Sequence, residues 1–391
     1  MNIKYIASTC SRKKYTEYIE SRGARVSQQA QKYNFLLAEG LVKNSCRVEL
    51  ISSRPINRRV SSKFWFGAEK DSDAGINFCY VPFINYPILR NLFVFSSVFF
   101  KILFSKSKRN ETAVVCDALN IVASMGALTA SWFRGYKTIG IVTDVPCHFS
   151  NMASIPLSQK LNLHIMKKFK SYLLLTESMS EIVNPKKRPF VVLEGHADSS
   201  MAAIENRIEN KAEKQVCLYA GSLERVYGIK NLVDGFVSAD IPNAELHIYG
   251  DGDYVEELKT IVEASEKVRY LGVAPNSEIV RAELAATLLI NPRPTNEEYT
   301  KYSFPSKNME YMASGTPVLT TRLPGMPKDH IPHVFIFDDE SAEGIKKALL
   351  EVFSRSPEEL HEFGGEAKRF ILETKNNKVQ AGKLLKMISC K

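Results

Sequence analysis

The sequence predicts an α/β chain built from two doubly wound domains. Short runs rich in Val, Ile and Tyr alternate with segments of helical period along the whole length. Most of these runs are continuously apolar, the mark of strands covered on both faces of a parallel sheet. The charge also changes sign near the middle: residues 1–190 hold 28 Lys+Arg against 12 Asp+Glu, and the rest hold 24 against 31. A step of that size points to two domains with different partners.

In the first half the strand candidates are Ile3–Ala7, Arg47–Ser52, Asn77–Val81, Ala113–Asp117, Thr138–Thr143 and Tyr172–Thr176. In the second they are Val216–Ala220, Glu245–Tyr249, Val268–Leu271, Thr287–Asn291, Thr316–Thr320 and Val334–Phe337. Between them lie segments such as Gln28–Leu41 and Val255–Ala264, with apolar residues three or four apart. The domain boundary falls between Pro185 and Lys214, where a basic cluster, the strand-like Phe190–Leu193 and a polar stretch succeed one another.

Composition narrows the class. Apolar residues are 45% and charged residues 24%, ordinary globular values that exclude disorder and low complexity. Seven Cys, an odd number with no C-x-x-C spacing, argue against a disulfide framework and a zinc ribbon. They read as buried thiols, and Trp65 and Trp132 as isolated residues. The start, Met1–Ala7, reads as a strand with no signal-peptide core, so a cytoplasmic, reduced protein is the expectation. The seven His, His148 among them, show no ligand spacing, so no metal is expected. The basic half should face something anionic, yet it has no helix-turn-helix signature and no aromatic-interleaved RNA motif, which puts nucleic acid last.

One segment departs from the α/β pattern. Pro87–Phe104 carries twelve Ile, Leu, Val or Phe in eighteen residues and is followed at once by Lys106, Lys108 and Arg109. Its charge-free stretch, Asn91–Phe100, is too short to span a bilayer. It fits a basic-flanked apolar helix at a membrane surface, and also a buried helix of the first domain.

The loops at the carboxyl ends of the strands carry the candidate chemistry. Val216–Ala220 runs into Gly221-Ser222, and Glu245–Tyr249 into Gly250-Asp251-Gly252. Glycine directly after a strand lets backbone amides approach a phosphate, although it also suits a plain turn. The strongest stretch runs from Tyr302 to Leu319. Ser306 can cap a helix that ends at Ser314 and stops at Gly315. The first turn of that helix, with Lys307 beside it, suits a diphosphate. Glu310, one turn on, suits a ribose diol. Asp144, after Thr138–Thr143, either faces a ligand or makes an Asx turn ahead of Pro146.

Taken together, Gly-x-Leu-x-x-x-x-Gly from Gly221, Leu-His-Ile-Tyr-Gly-Asp-Gly, Val-Arg-Tyr-Leu-Gly and Glu-Tyr-Met-Ala-Ser-Gly-Thr-Pro-Val resemble glycosyltransferase family 4. The resemblance covers about Gln215–Leu350 and is fainter in the first half, where Arg25–Leu41 and Thr143–Pro146 fit. It implies the GT-B fold: two Rossmann-like domains with a cleft between them, residues 1–195 for the acceptor and 196–370 for the donor. Residues 371–391 would return to the first domain. It implies a retaining transferase that uses a nucleoside-diphosphate sugar as co-substrate, with no other cofactor and no metal. Glu310 matches the second Glu of the family's Glu-x7-Glu motif, Gly221 the loop near the diphosphate, and Asp144 a polar position facing the donor sugar.

The departures are specific. The first Glu of that motif falls at Tyr302, leaving Glu297 or Glu298 as substitutes, and the usual Arg and Lys fall at Ser222 and Tyr227. A departing diphosphate needs another cation. Lys307 ranks first, then Arg225, then Arg293 after the strand Thr287–Asn291, with Lys230 a further candidate. Phe304-Pro305-Ser306-Lys307 resembles a branch that builds bacterial surface polysaccharides. The polar connection Ser8–Ser27, with Arg12, Lys13, Lys14, Arg22 and Arg25, takes the place of the family's Gly-rich loop and either meets acceptor phosphates or is solvated. The reading is transfer of a sugar to a saccharide acceptor, carried on a lipid, at the cytoplasmic membrane face. The alternatives are a non-catalytic GT-B subunit partnering another transferase and a nucleotide-sugar 2-epimerase.

Overall fold

The apolar runs of the first half form one sheet of eight strands in the computed structural model, which describes residues 1–20, 28–56, 58, 61–145 and 156–389. The strands of this half are β1 (Asn2–Ala7), β2 (Arg47–Ser52), β3 (Trp65–Phe66), β4 (Glu69–Asp73), β5 (Ile76–Tyr80), β6 (Phe83–Ile84), β7 (Thr112–Asp117), β8 (Lys137–Val142), β9 (Ser171–Leu174) and β10 (Phe190–Val192). Their order in the sheet is β10-β9-β8-β7-β1-β2-β5-β4. All pairs are parallel except β4 with β5. Strands β3 and β6 pair separately. The helices are α1 (Arg12–Glu20), α2 (Gln28–Lys43), α3 (Pro87–Leu103), α4 (Ile121–Arg134), α5 (Leu157–Met166) and α6 (Ser178–Val183).

The second half holds β11 (Gln215–Ser222), β12 (Ala244–Asp251), β13 (Val268–Gly272), β14 (Leu288–Asn291), β15 (Val318–Thr321) and β16 (Phe335–Phe337), all parallel, in the order β13-β12-β11-β14-β15-β16. Its helices are α7 (Ile229–Ala239), α8 (Val255–Ala264), α9 (Asn276–Ala285), α10 (Ser306–Ser314), α11 (Ala342–Phe353) and α12 (Pro357–Thr374). Successive side chains of β11 take opposite faces: Cys217 and Tyr219 enter one core with α7 and α11, whereas Val216, Leu218 and Ala220 enter another with α10 and α12. That two-sided burial is why the strand is continuously apolar.

The chain divides into two units, Met1–His196 with Asn377–Lys391, and Ala197–Asn376. The return falls later than residue 371 because α12 continues to Thr374. The last helix, α13 (Asn377–Ser389), belongs to the first unit. Asn377 donates to the Leu36 carbonyl at 3.1 Å and to Glu39 at 2.7 Å on α2. Gly40 allows the approach, since a Cβ there would collide with the Asn377 carbonyl.

Two expectations are corrected here. Much of the polar connection after β1 is helix α1: the Ser11 hydroxyl accepts from the Lys14 amide at 3.3 Å, an N-cap contact hidden among charged residues. Two of its basic residues are engaged by the edge strand. Arg12 pairs with Asp73 and Lys14 with Glu69, the latter at 2.8 Å, which leaves them poor candidates for acceptor phosphates. Arg22 and Arg25 lie outside the described residues, as do Pro146 and His148. The edge strand β4 itself, Glu-Lys-Asp-Ser-Asp, has no apolar alternation to announce it, as suits an exposed edge.

Trp65 and Trp132 are not isolated either. Trp65 lies edge-on to Phe93 at 5.6 Å, and Trp132 to Phe133 at 4.8 Å. Helix α3 packs on α4 through Gly126, where a Cβ would lie 2.6 Å from the Phe95 carbonyl oxygen. It buries Val94, Val98 and Ile102 but leaves Ile88, Leu92 and Phe100 exposed on the other face, with Phe104, its C-cap, exposed in continuation at the same i+4 spacing. Among the described residues, no helix is long and apolar enough to cross a membrane.

Candidate functional site

Strand order in the second unit reverses between β11 and β14, and the crevice outside their carboxyl ends is where an open α/β sheet takes a ligand. Two glycines meet at this point. Gly221 of β11 pairs in register with Gly250 of β12, and Ser222 with Asp251. Gly250 has φ +138, and a Cβ there would collide with the Gly221 carbonyl. Gly250 therefore shapes the strand ends. A Cβ on Gly221 would in turn collide with the ammonium of Lys307. Gly221 is needed because a cation comes down onto the strand end.

Lys307 sits in the first turn of α10. Its ammonium donates to the Ala220 carbonyl and lies 5.7 Å from the centre of the Tyr219 ring. The helix that aims it is held by buried polar contacts. The Tyr311 hydroxyl accepts from the Ala220 amide at 2.9 Å, Asn291 donates to Asn308 at 2.7 Å, and Asn308 donates to Thr320 at 3.3 Å. Burial drives the Tyr311 phenol well above its ordinary pKa, so it stays a neutral hydroxyl.

Ser306 is not the cap the sequence suggested. The N-cap is Pro305, which offers no side-chain acceptor, and Ser306 is the first helical residue. The N-terminal turn thus ends without a side-chain cap at the crevice. The other end of the helix follows the sequence reading: Gly315 terminates it at φ +82. Glu310, half-buried, lies one turn beyond Ser306 on the same helix.

Arg293, just beyond β14, stands 4.5 Å from the Tyr227 ring centre and 5.4 Å from that of Tyr299, two rings that meet at 6.3 Å. Stacking on aromatic faces fixes a guanidinium without neutralising it. Burial pushes the Tyr299 phenol up to about 12, and Arg293 acts against that rise. Arg225 is placed differently. It forms a 2.6 Å ion pair with Glu257 on α8, its backbone amide donates to Asp253 at 2.8 Å, and it stays half exposed. Lys230 likewise pairs with Asp234 at 3.0 Å. Of the cations proposed from sequence, Lys307 lies against Gly221 and Arg293 beside Tyr227. Arg225 is turned to Glu257 on α8, and Lys230 to Asp234 on its own helix. Ser222 uses its carbonyl to accept the Tyr219 hydroxyl at 2.7 Å.

Sequence reasoning missed the aromatic cradle. Tyr219 read only as strand, and Tyr227 only as the place of a lost lysine. The carboxyl edge of the first unit holds a second group it missed. Asp117, the last residue of β7, accepts from the Leu119 amide at 3.1 Å and from Asn34 at 3.2 Å. Burial raises its pKa to about 6 despite those two hydrogen bonds. Asp144, two residues past β8, is exposed, and its carboxylate accepts from the Val145 amide at 2.7 Å.

Residues 200–370 match the family described as glycosyl transferases group 1, a match that lies wholly within the second unit and includes Gly221, Arg293, Lys307 and Glu310. Solved structures of this architecture cover the whole chain. The fold is GT-B. Sucrose-phosphate synthase from Thermosynechococcus elongatus aligns with TM-score 0.68 and 14% identity over 99% of this chain and 98% of its own. A glycosyltransferase from Rickettsia africae aligns with TM-score 0.66 and 14% identity over 100% and 99%. Anabaena HepE, solved in complex with UDP, aligns with TM-score 0.64 and 12% identity over 100% of both chains. No curated protein sequence matches significantly. In GT-B terms, the switch-point crevice described above belongs to the second Rossmann-like unit.

Proposed function

We propose that this chain is a glycosyltransferase that moves a sugar from a nucleoside-diphosphate sugar to a saccharide acceptor carried on a lipid. The observation that carries the reading is the coincidence of the matched family region with a crevice holding Lys307 against Gly221. The second unit takes the nucleotide sugar. Glu310 accepts from the ribose diol, and the amides of the first turn of α10, with Gly221 and Ser222, border the diphosphate. Lys307 and Arg293 offset the charge that develops as the diphosphate leaves, a task that then needs no metal, and retention of anomeric configuration is carried over from the resemblance to family 4. Arg225 takes part only if Glu257 releases it.

The first unit takes the acceptor, with Asp144 toward the sugar. The lipid part of the proposal rests on the outward stripe of α3 and the basic residues that follow it, features that favour a peripheral place on an anionic membrane face. HepE's complex with UDP makes uracil the first base to try.

The test is thermal stabilisation by UDP, GDP, ADP and dTDP. A ligand at 100 times its dissociation constant adds about 2.7 kcal/mol, a visible shift. A response to one base supports the donor site. Silence from all four, with folded protein, favours the non-catalytic subunit, for which the paired state of Arg225 is the supporting observation. Turnover of a nucleotide sugar without acceptor would point to the epimerase.

A further inference from the structure

The other edge of the first unit's sheet carries a feature that the crevice chemistry does not use. An open basin of about 830 Å3 lies at the amino ends of β1 and β2, bordered by β4 and by the segment that follows α3. Six cations line it: Lys4, Arg47, Lys70, Lys101, Lys106 and Lys108. Only two carboxylates, Glu49 and Glu111, stand against them. Glu49 is shared by Lys4 at 2.5 Å and Lys101 at 2.9 Å, and Glu111 lies 3.7 Å from Lys108. The lining keeps an excess of four positive charges, six less two.

Phe104 forms part of the same lining and begins an unbroken chain of aromatic rings. It stacks on Phe100 at 5.9 Å, Phe100 meets Phe99 at 5.2 Å, Phe99 meets Phe133 at 6.3 Å, and Phe133 meets Trp132 at 4.8 Å. Four of these rings face solvent: Phe100 is 52% exposed, Phe104 74%, Trp132 75% and Phe133 61%. Large apolar groups left outside in one contiguous row mark a contact surface. The row and the basin are locked together. Arg134 donates to the carbonyls of Ser105 and Ser107 at 2.8 and 3.1 Å, and Arg109 to that of Gly135 at 3.0 Å.

We propose that this basin is a phosphate-headgroup site for anionic phospholipid, with the Phe104–Trp132 row inserted beside it among the acyl chains. A Trp and a set of phenylalanines on the ends of two helices suit the boundary between headgroups and hydrocarbon. The cations next to them sit where the surface phosphates lie, within reach of the negative leaflet potential. A nucleic acid would meet the lysines but leave the rings, which lie on helix ends rather than along a groove, without bases to stack on. The inference deepens the membrane part of the proposed function and rests on it.

Flotation with phosphatidylcholine vesicles, and with vesicles in which about a third of the lipid is phosphatidylglycerol, tests it. Wild type should prefer the anionic vesicles. The pair Lys106→Ala and Lys108→Ala, at exposed positions, should weaken that binding roughly 30-fold through the loss of two surface cations. The same pair should leave phosphatidylcholine binding and nucleotide stabilisation unchanged. Phe104→Ser with Trp132→Ser should lower binding to both vesicles. Anionic binding undiminished by the lysine changes would overturn the basin while sparing the membrane reading. Wild type that floats with neither vesicle would overturn both. Inorganic phosphate or an oligonucleotide held as tightly as vesicles, and lost in the lysine variant, would overturn the lipid assignment. Nucleotide stabilisation, read in parallel, reports separately on the transferase.

Discussion

The two units share a parallel sheet wrapped by helices, but they load their strand ends in opposite ways. In the second unit the carboxyl edge brings a cation to glycine: Lys307 on Gly221, with Arg293 stacked on Tyr227. In the first, the same edge buries a carboxylate, Asp117, under Asn34 and Tyr5, and the exposed cations gather at the opposite, amino edge. One scaffold thus presents positive charge at different ends of its strands in its two copies. The lesson is that net charge by half, +16 and −7, misleads about chemistry: the acidic unit holds the anion-ready crevice.

The largest effect that would break this contrast is at Lys307. Lys307→Ala should cut turnover about 100- to 1000-fold, the usual loss for one preorganised group that stabilises a leaving anion. Steady-state kinetics with the donor found by stabilisation checks it, and a change below threefold would remove Lys307 from the chemistry. Next is Asp117. Its carboxyl is protonated in the folded state up to about pH 6, whereas the unfolded chain ionises near 3.8. Its contribution to stability is complete below pH 3.8 and is lost as pH rises to about 6, by about 3 kcal/mol. Urea unfolding at several pH values should show that slope in the wild type and lose it in Asp117→Asn.

A smaller effect is expected at Tyr311, whose hydroxyl satisfies the buried Ala220 amide. Tyr311→Phe should cost about 1–3 kcal/mol of stability by denaturant titration, because the amide is left without its partner. The smallest is at Arg225. With Glu257 already holding its guanidinium, Arg225→Ala should leave donor affinity close to wild type, while Arg293→Ala weakens it more. The reverse ranking, read by the same titration of nucleotide, would return Arg225 to the crevice.

Most of the fold was legible because parallel strands buried on both faces must be apolar throughout, as in Val216–Ala220 and Ala113–Cys116. The elements that escaped are those whose order comes from partners far along the chain. Helix α1 depends on Asp71 and Asp73 of β4, and β4 on pairing with β5. Lys307 was legible because a helix start gives a side chain its direction. Arg225 was not, since nothing in Leu-Glu-Arg-Val announces that Glu257, a helix away, will take it. Nor did the spacing of Tyr219, Tyr227 and Tyr299 suggest one cradle, because only the strand order brings their loops together.

The return of α13 to the first unit has a consequence for how the chain is made. The contacts of Asn377 with Leu36 and Glu39 tie the final helix to one of the earliest. On the ribosome, the second unit has all its residues once Asn376 has been added and cleared the exit tunnel, whereas the first waits for the last helix before α2 gains its cover. Domains generally fold as units during synthesis, with the N-terminal one first. Here the order of completion is inverted, and the unit whose strands emerge first is the later of the two to be sealed.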